Sequence, residues 1–197
     1  MFFPTLISGF KRKYPRIDIQ ITEGNTDQLE AMLSSGYLDF VIDNYHYDST
    51  LYNKESYCQE HILLAVPRHF PINKELESFQ LSYENIQSES DLSEKCPAVP
   101  LNSFSSLPFI MLTPGNDTRT AGNISAALPA LAPGSSWSCS SSPPPICRLH
   151  AACATFISDM LVQRLPSFEN LVYYKLSGPD ALRQVFFYYK KHKYRPG

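Results

Sequence analysis

The order of apolar periods across residues 4–42 limits this chain more than any other feature. Phe2, Phe3, Leu6, Ile7 and Phe10 recur at roughly helical spacing and lead into Lys11-Arg12-Lys13. Cations suit the last turn of a helix, where unpaired carbonyls leave partial negative charge. Pro15 then stops the helix. Ile17-Asp18-Ile19-Gln20-Ile21 alternates apolar and polar residues, which predicts a half-buried strand. Gly24-Asn25-Thr26 turns the chain, with Asn25 as an N-cap and Gln28 completing a capping box. Leu29, Met32 and Leu33 give the next helix its apolar face, and Gly36 closes it. Leu38-Asp39-Phe40-Val41-Ile42 is mostly apolar, as strands covered on both faces are. Helix, strand, helix, strand with short joints predicts a parallel sheet.

Composition sets the outer bounds. A chain of 197 residues holds one large domain or two small ones with a buried core. Hydrophobic residues at 43% and charged residues at 18% predict a soluble globular protein. A net charge of −2 gives no global attraction to a polyanion, so nucleic-acid binding is not expected of this chain by itself. No charged segment precedes a long apolar run at the N-terminus, and nowhere do enough consecutive apolar residues occur for a membrane-spanning helix. Five cysteines without pairing logic predict a reduced, cytoplasmic protein.

Further along, Asp43-Asn44-Tyr45-His46-Tyr47-Asp48 forms a polar and aromatic loop after a strand. In open α/β sheets ligands sit at that edge. Residues 59–66 read as a strand ended by Pro67, and residues 68–102 as loops around one short helix near residues 82–86. Residues 109–112 form a buried type of strand, followed by Pro114-Gly115-Asn116-Asp117-Thr118, a second turn into a helix start. Residues 159–165 read as a short helix stopped by Pro166. Residues 171–176 and 185–189 read as strands around the turn Ser177-Gly178-Pro179-Asp180, and a basic tail follows.

One window departs from the rest. Residues 121–154 contain no Lys, Asp or Glu and a single Arg, against seven Ser, five Pro and eight Ala. No helical or strand period survives in it. It reads either as a Ser/Pro-rich insertion or as a normal helix-strand-helix stretch translated through a compensated pair of frameshifts. The second reading predicts regular structure there against the composition, and the abrupt edges of the window favour it.

The chemical inventory is sparse. The five histidines are scattered, no Cys-x-x-Cys pair occurs, and neither a metal nor a cofactor is expected. No nucleophile elbow, phosphate loop or dinucleotide glycine pattern appears, so no catalysis is expected. Glu23, Asp39 and Asp43 fall at strand ends, where carboxylates more often cap or face water than do acid/base work. The two turn-cap units are better candidates. Each presents backbone N–H groups and a hydroxyl or amide at a helix N-terminus, an arrangement that holds carboxylates and other anions. Asp117 competes for those same N–H groups in the second unit.

Several of these stretches together carry a resemblance. Phe3-Pro4 through Tyr14-Pro15, Glu23-Gly24-Asn25-Thr26 and Gly36-Tyr37-Leu38-Asp39-Phe40-Val41-Ile42 resemble the effector-binding domain of LysR-type transcriptional regulators. The match continues at residues 63–71, 107–115 and 154–158. The resemblance implies a fold similar to type 2 periplasmic binding proteins: two doubly wound α/β subdomains joined by two crossover segments. These would be residues 1–67 with 162–197, and residues 68–161, with crossovers near 66–70 and 158–166. It implies an effector pocket drawing on Asn25, Thr26, Asn44, Gly115, Asn116, Thr118, Phe156 and Ile157.

The implied function is regulatory: a small, anionic metabolite is sensed and the signal passes through the packing of a homodimer or higher homo-oligomer. The family's N-terminal helix-turn-helix, its route to DNA, and the first strand of the effector domain have no counterpart in this sequence. A stand-alone solute-binding protein of the same fold is the alternative, and an enzyme on a related fold is a third reading. In-frame coding sequence upstream of Met1 would distinguish all three.

Overall fold

The fold is described by a computed structural model over residues 3–87, 92, 96–112, 136–139, 153–164, 166, 169–178 and 181–191. Helix α1 covers Phe3–Lys13, with its three cations in the last turn as expected. Helix α2 covers Thr26–Ser35. Asn25 caps it in an extended conformation, and both halves of the capping box form. The Asn25 side chain accepts from Gln28 N–H at 2.9 Å, and Gln28 Oε1 accepts from Asn25 N–H at 3.2 Å. Gly36 ends the helix at φ 81°, a left-handed conformation that a side chain would strain.

The expected strand at residues 17–21 does not form. Alternation makes a strand only where a sheet edge receives its hydrogen bonds. No described strand pairs with this stretch, and Ile17 and Ile21 stay 48% and 52% exposed. The expected parallel sheet is corrected for the same region. Strand β1, Val41–Asp43, pairs antiparallel with β8, Leu182–Lys190, which returns from the far end of the chain.

Strand β2, Tyr52–Pro67, is the axis of the molecule. From Tyr52 to His61 it pairs antiparallel with β8, with a bulge between Ser56 and Cys58. From Ile62 it pairs instead with β6, Thr155–Ser158, and from Leu63 with β7, Leu171–Lys175. The short β3, Gln80–Leu81, adds to β7. The change of partners at His61/Ile62 divides the sheet into two sections joined by one continuous strand.

Burial follows that division. The second half of β2 is covered on both faces, so its even and odd residues enter different cores. Ile62, Leu64 and Val66 pack with Phe104, Phe109, Phe156, Val172 and Tyr174. Leu63 and Ala65 pack with Leu81, Ile86, Ile157, Leu171 and Tyr173. A third cluster of Leu33, Val41, Tyr47, Tyr52 and Tyr188 joins α2 to β1 and β8. One buried polar group is fully used: the Asn73 amide donates to Pro67 O at 2.8 Å and Arg68 O at 3.1 Å, and its oxygen accepts from the Tyr174 hydroxyl at 2.8 Å.

The remaining described elements are short. Helices α3, Ile72–Glu75, and α4, Tyr83–Gln87, together with α5, Asp159–Val162, flank the second section. Strand β4, Phe109–Leu112, pairs in parallel with β5, Ser136–Cys139. Strand β5 lies inside the anomalous window. The rest of that window up to residue 152 lies outside the described residues.

Candidate functional site

The site is built where β1 ends and α2 begins. Asp43, the last residue of β1, is 4% exposed, and three donors converge on its carboxylate. The Tyr47 hydroxyl donates at 2.7 Å, the Tyr45 N–H at 3.0 Å and the Thr26 hydroxyl at 3.3 Å. A carboxylate is tolerated at such depth only when hydrogen bonds replace its water. The result is local and rigid: the loop after β1 wraps over Asp43, and the first turn of α2 is pinned to the strand end.

This hub brings three of the sequence-predicted residues together. Asn25 caps α2, Thr26 bonds Asp43, and the half-buried Asn44 is the next residue along. Gly115, Asn116 and Thr118 lie outside the described residues. Phe156 and Ile157 lie on β6, with both side chains in core packing: Phe156 stacks on Phe109 at 5.8 Å between centroids, and Ile157 enters the opposite core. Of the three strand-end carboxylates, Glu23 and Asp39 are exposed, and Asp43 alone is buried.

Sequence reasoning missed the tyrosines. Tyr47 makes the shortest bond to Asp43 and packs edge-on against Tyr188 at 4.7 Å. The only signal in the sequence was an Asp at a strand end with Tyr two and four residues later. Burial pushes the Tyr188 hydroxyl above its ordinary value, and the nearby Asp43 charge adds to the shift. Tyr188 therefore stays neutral beside the carboxylate.

Two thiols, Cys58 and Cys153, are held in the protonated form by the same physics. Burial pushes Cys58 up to about 11, with Glu60 and Asp159 adding repulsion, and burial raises Cys153 as well. A protonated thiol is a poor nucleophile and a poor metal ligand. Among the described residues, no group of three or more His, Cys, Asp or Glu side chains could hold a metal ion. None of the described helices is long and apolar enough to cross a membrane.

Comparisons with known proteins agree with this architecture. The effector-binding domain of a BenM variant superposes with a TM-score of 0.69 at 16% identity, covering 99% of this chain and 82% of that one. The reduced regulatory domain of OxyR from Pseudomonas aeruginosa gives 0.67 at 17% identity, covering 95% and 81%. The regulatory domain of CcmR from Synechocystis PCC6803, solved with 2-PG, gives 0.69 at 15%, covering 98% and 83%. YcgK of Bacillus subtilis, described as an uncharacterized HTH-type transcriptional regulator, is 25% identical over 113 residues. That alignment spans 57% of this chain and about a third of YcgK, 34%. The family profile of the LysR substrate binding domain matches residues 1–197. The chain therefore belongs to the LysR substrate-binding domain family and carries its periplasmic-binding-protein-like fold.

Proposed function

We propose that this chain is the sensing module of a LysR-type transcriptional regulator, binding a small anionic metabolite and passing the signal through oligomer packing. DNA is reached through a helix-turn-helix domain outside this chain, in the cytoplasm, and the module itself performs no catalysis. The observation that carries the reading is the Thr26–Asp43 bond, which gathers Asn25, Thr26 and Asn44 at one strand end. A preformed polar cluster at such an edge is where doubly wound folds hold ligands. BenM has been solved with its effector benzoate and CcmR with 2-PG, which supports an acidic effector here by analogy.

Asp43 constrains how an acid group is held. The Thr26 hydroxyl is committed to that carboxylate, so the acid group meets amide donors at the turn while Thr26 keeps the turn in place. Thr26→Val should weaken carboxylate binding by about 1–2 kcal/mol through the lost hydrogen bond. Asp43→Asn leaves an amide NH2 facing donors that now share two oxygens, so it should loosen the same turn and weaken binding too. Calorimetry against a panel of small carboxylates checks both. Binding of cations or neutral sugars with carboxylates inert would sink the anionic reading.

Association is part of the same proposal. Phe10 is 38% exposed and Tyr14 42%, and their rings meet at 4.9 Å, tilted by 43°, at the C-terminal end of α1. Apolar surface of this kind favours burial against a second copy. Light scattering at micromolar concentration should give a dimer or larger, and a monomer would count against transmission through packing.

A further inference from the structure

Strand β2 hands over from one section of the sheet to the other at His61/Ile62, and polar side chains crowd that seam. Glu60 is the centre. Its Oε1 takes the Arg183 guanidinium from β8 at 2.5 Å, and its Oε2 takes the Ser158 hydroxyl from β6 at 2.7 Å. One carboxylate thus joins a strand of each section. The neighbouring His61 Nδ1 lies 3.0 Å from Asp159 Oδ2, and Asp159 Oδ1 accepts the Met160 N–H at 2.6 Å. Side-chain exposure is 14% for Glu60, 11% for Arg183, 19% for His61 and 7% for Asp159.

Such depth separates this network from a surface ion pair, which is screened and contributes little. A charge pair out of water is sensitive to the loss of either partner, because the survivor is left desolvated. It is also directional, since both carboxylate oxygens are used. The Ile62–Ser158 and His61–Leu182 pairs sit immediately on either side of the seam. Main-chain pairing therefore changes partner at the point where Glu60 spans the gap.

We infer that Glu60, held between Arg183 and Ser158, is a positioning residue that clasps β6 and β8 to β2 and sets the angle between the two sections of the sheet. The inference rests on the sensing role proposed above in one respect: closing a cleft between two sections requires rotation about their junction. A clasp at that junction then governs how far the cleft opens without touching the effector.

Hydrogen exchange read by mass spectrometry on the full chain tests the clasp. Glu60→Gln keeps the size of the side chain but removes the charge and one acceptor. Exchange should rise by about tenfold in residues 155–158 and in residues 182–185 together, while residues 171–175 keep their protection. Ser158→Ala touches neither charge, yet it should speed exchange at the start of β8 as well as in β6. Arg183→Lys should restore part of what Arg183→Gln loses. Small-angle scattering of Glu60→Gln without effector should differ from the parent. Acceleration confined to the strand carrying the substitution, a uniform rise that includes residues 171–175, or unchanged scattering would each overturn the clasp. None of these readouts uses an effector, so a failure to find a ligand leaves the result standing, and failure of the clasp leaves the sensing role untouched.

Discussion

Raising the pH from 10 to 12 should cost this protein on the order of 4 kcal/mol of folding stability through two tyrosines alone. Burial pushes the Tyr173 hydroxyl up to about 12, with the neighbouring Tyr83 adding to it. Burial pushes Tyr174 to about 12 as well, against a smaller opposing hydrogen bond from Gln80. The unfolded chain releases both protons near the ordinary value of 10.0, while the folded chain keeps them until about 12. Between those limits the unfolded state binds fewer protons, so stability falls as pH rises. The contribution is fully present below pH 10 and lost through about 12. Denaturant titrations followed by circular dichroism, at steps across that interval, measure the loss. The double variant Tyr173→Phe with Tyr174→Phe should lose much less over the same interval. If it loses as much as the parent, the tyrosines are not the cause.

Phe104→Ala should be the most damaging single truncation, at about 3–5 kcal/mol. The ring is fully buried, and it lies 5.2 Å from the Tyr174 ring at a 55° tilt. It also shares a core with Leu64, Val66 and Phe156, so a void there opens beneath the central strand. Natural domains are stable by about 5–15 kcal/mol, so the variant should be close to unfolding at room temperature. Phe104→Leu retains most of the volume and should cost about 1–2 kcal/mol. A denaturant midpoint for Phe104→Ala within error of the parent would mean that the core re-forms without the ring. Equal losses for Ala and Leu would point to the aromatic contact with Tyr174 rather than to volume.

Local features were legible because their causes are local. The cations ending α1, the Asn25–Gln28 capping box and the Gly36 stop depend on residues within one turn of each other, and the structure has all three. The second half of β2 was legible as a strand because burial on both faces leaves only apolar residues from Ile62 to Val66. The first half was not. Tyr52-Asn53-Lys54-Glu55-Ser56 carries no strand period, and it is extended only because β8 pairs with it from far along the chain.

The same division applies to the candidate site. That Asn25 and Thr26 open a helix after a turn follows from residue types alone. That Thr26 meets Asp43, and that Tyr45 and Tyr47 close over the same carboxylate, depends on how β1 ends against α2. Residues 17–21 show the converse, since a flawless alternation made no strand without an edge to pair with. By itself, the sequence determined α1 and α2 with their stops and which family's pattern they follow, while the single-turn α3 formed in a stretch read as loop. Only the tertiary structure decided strand partners, the antiparallel return of β8 and the seam at Glu60. Its carboxylate joins residues 98 and 123 positions away, and no local preference encodes contacts over such separations.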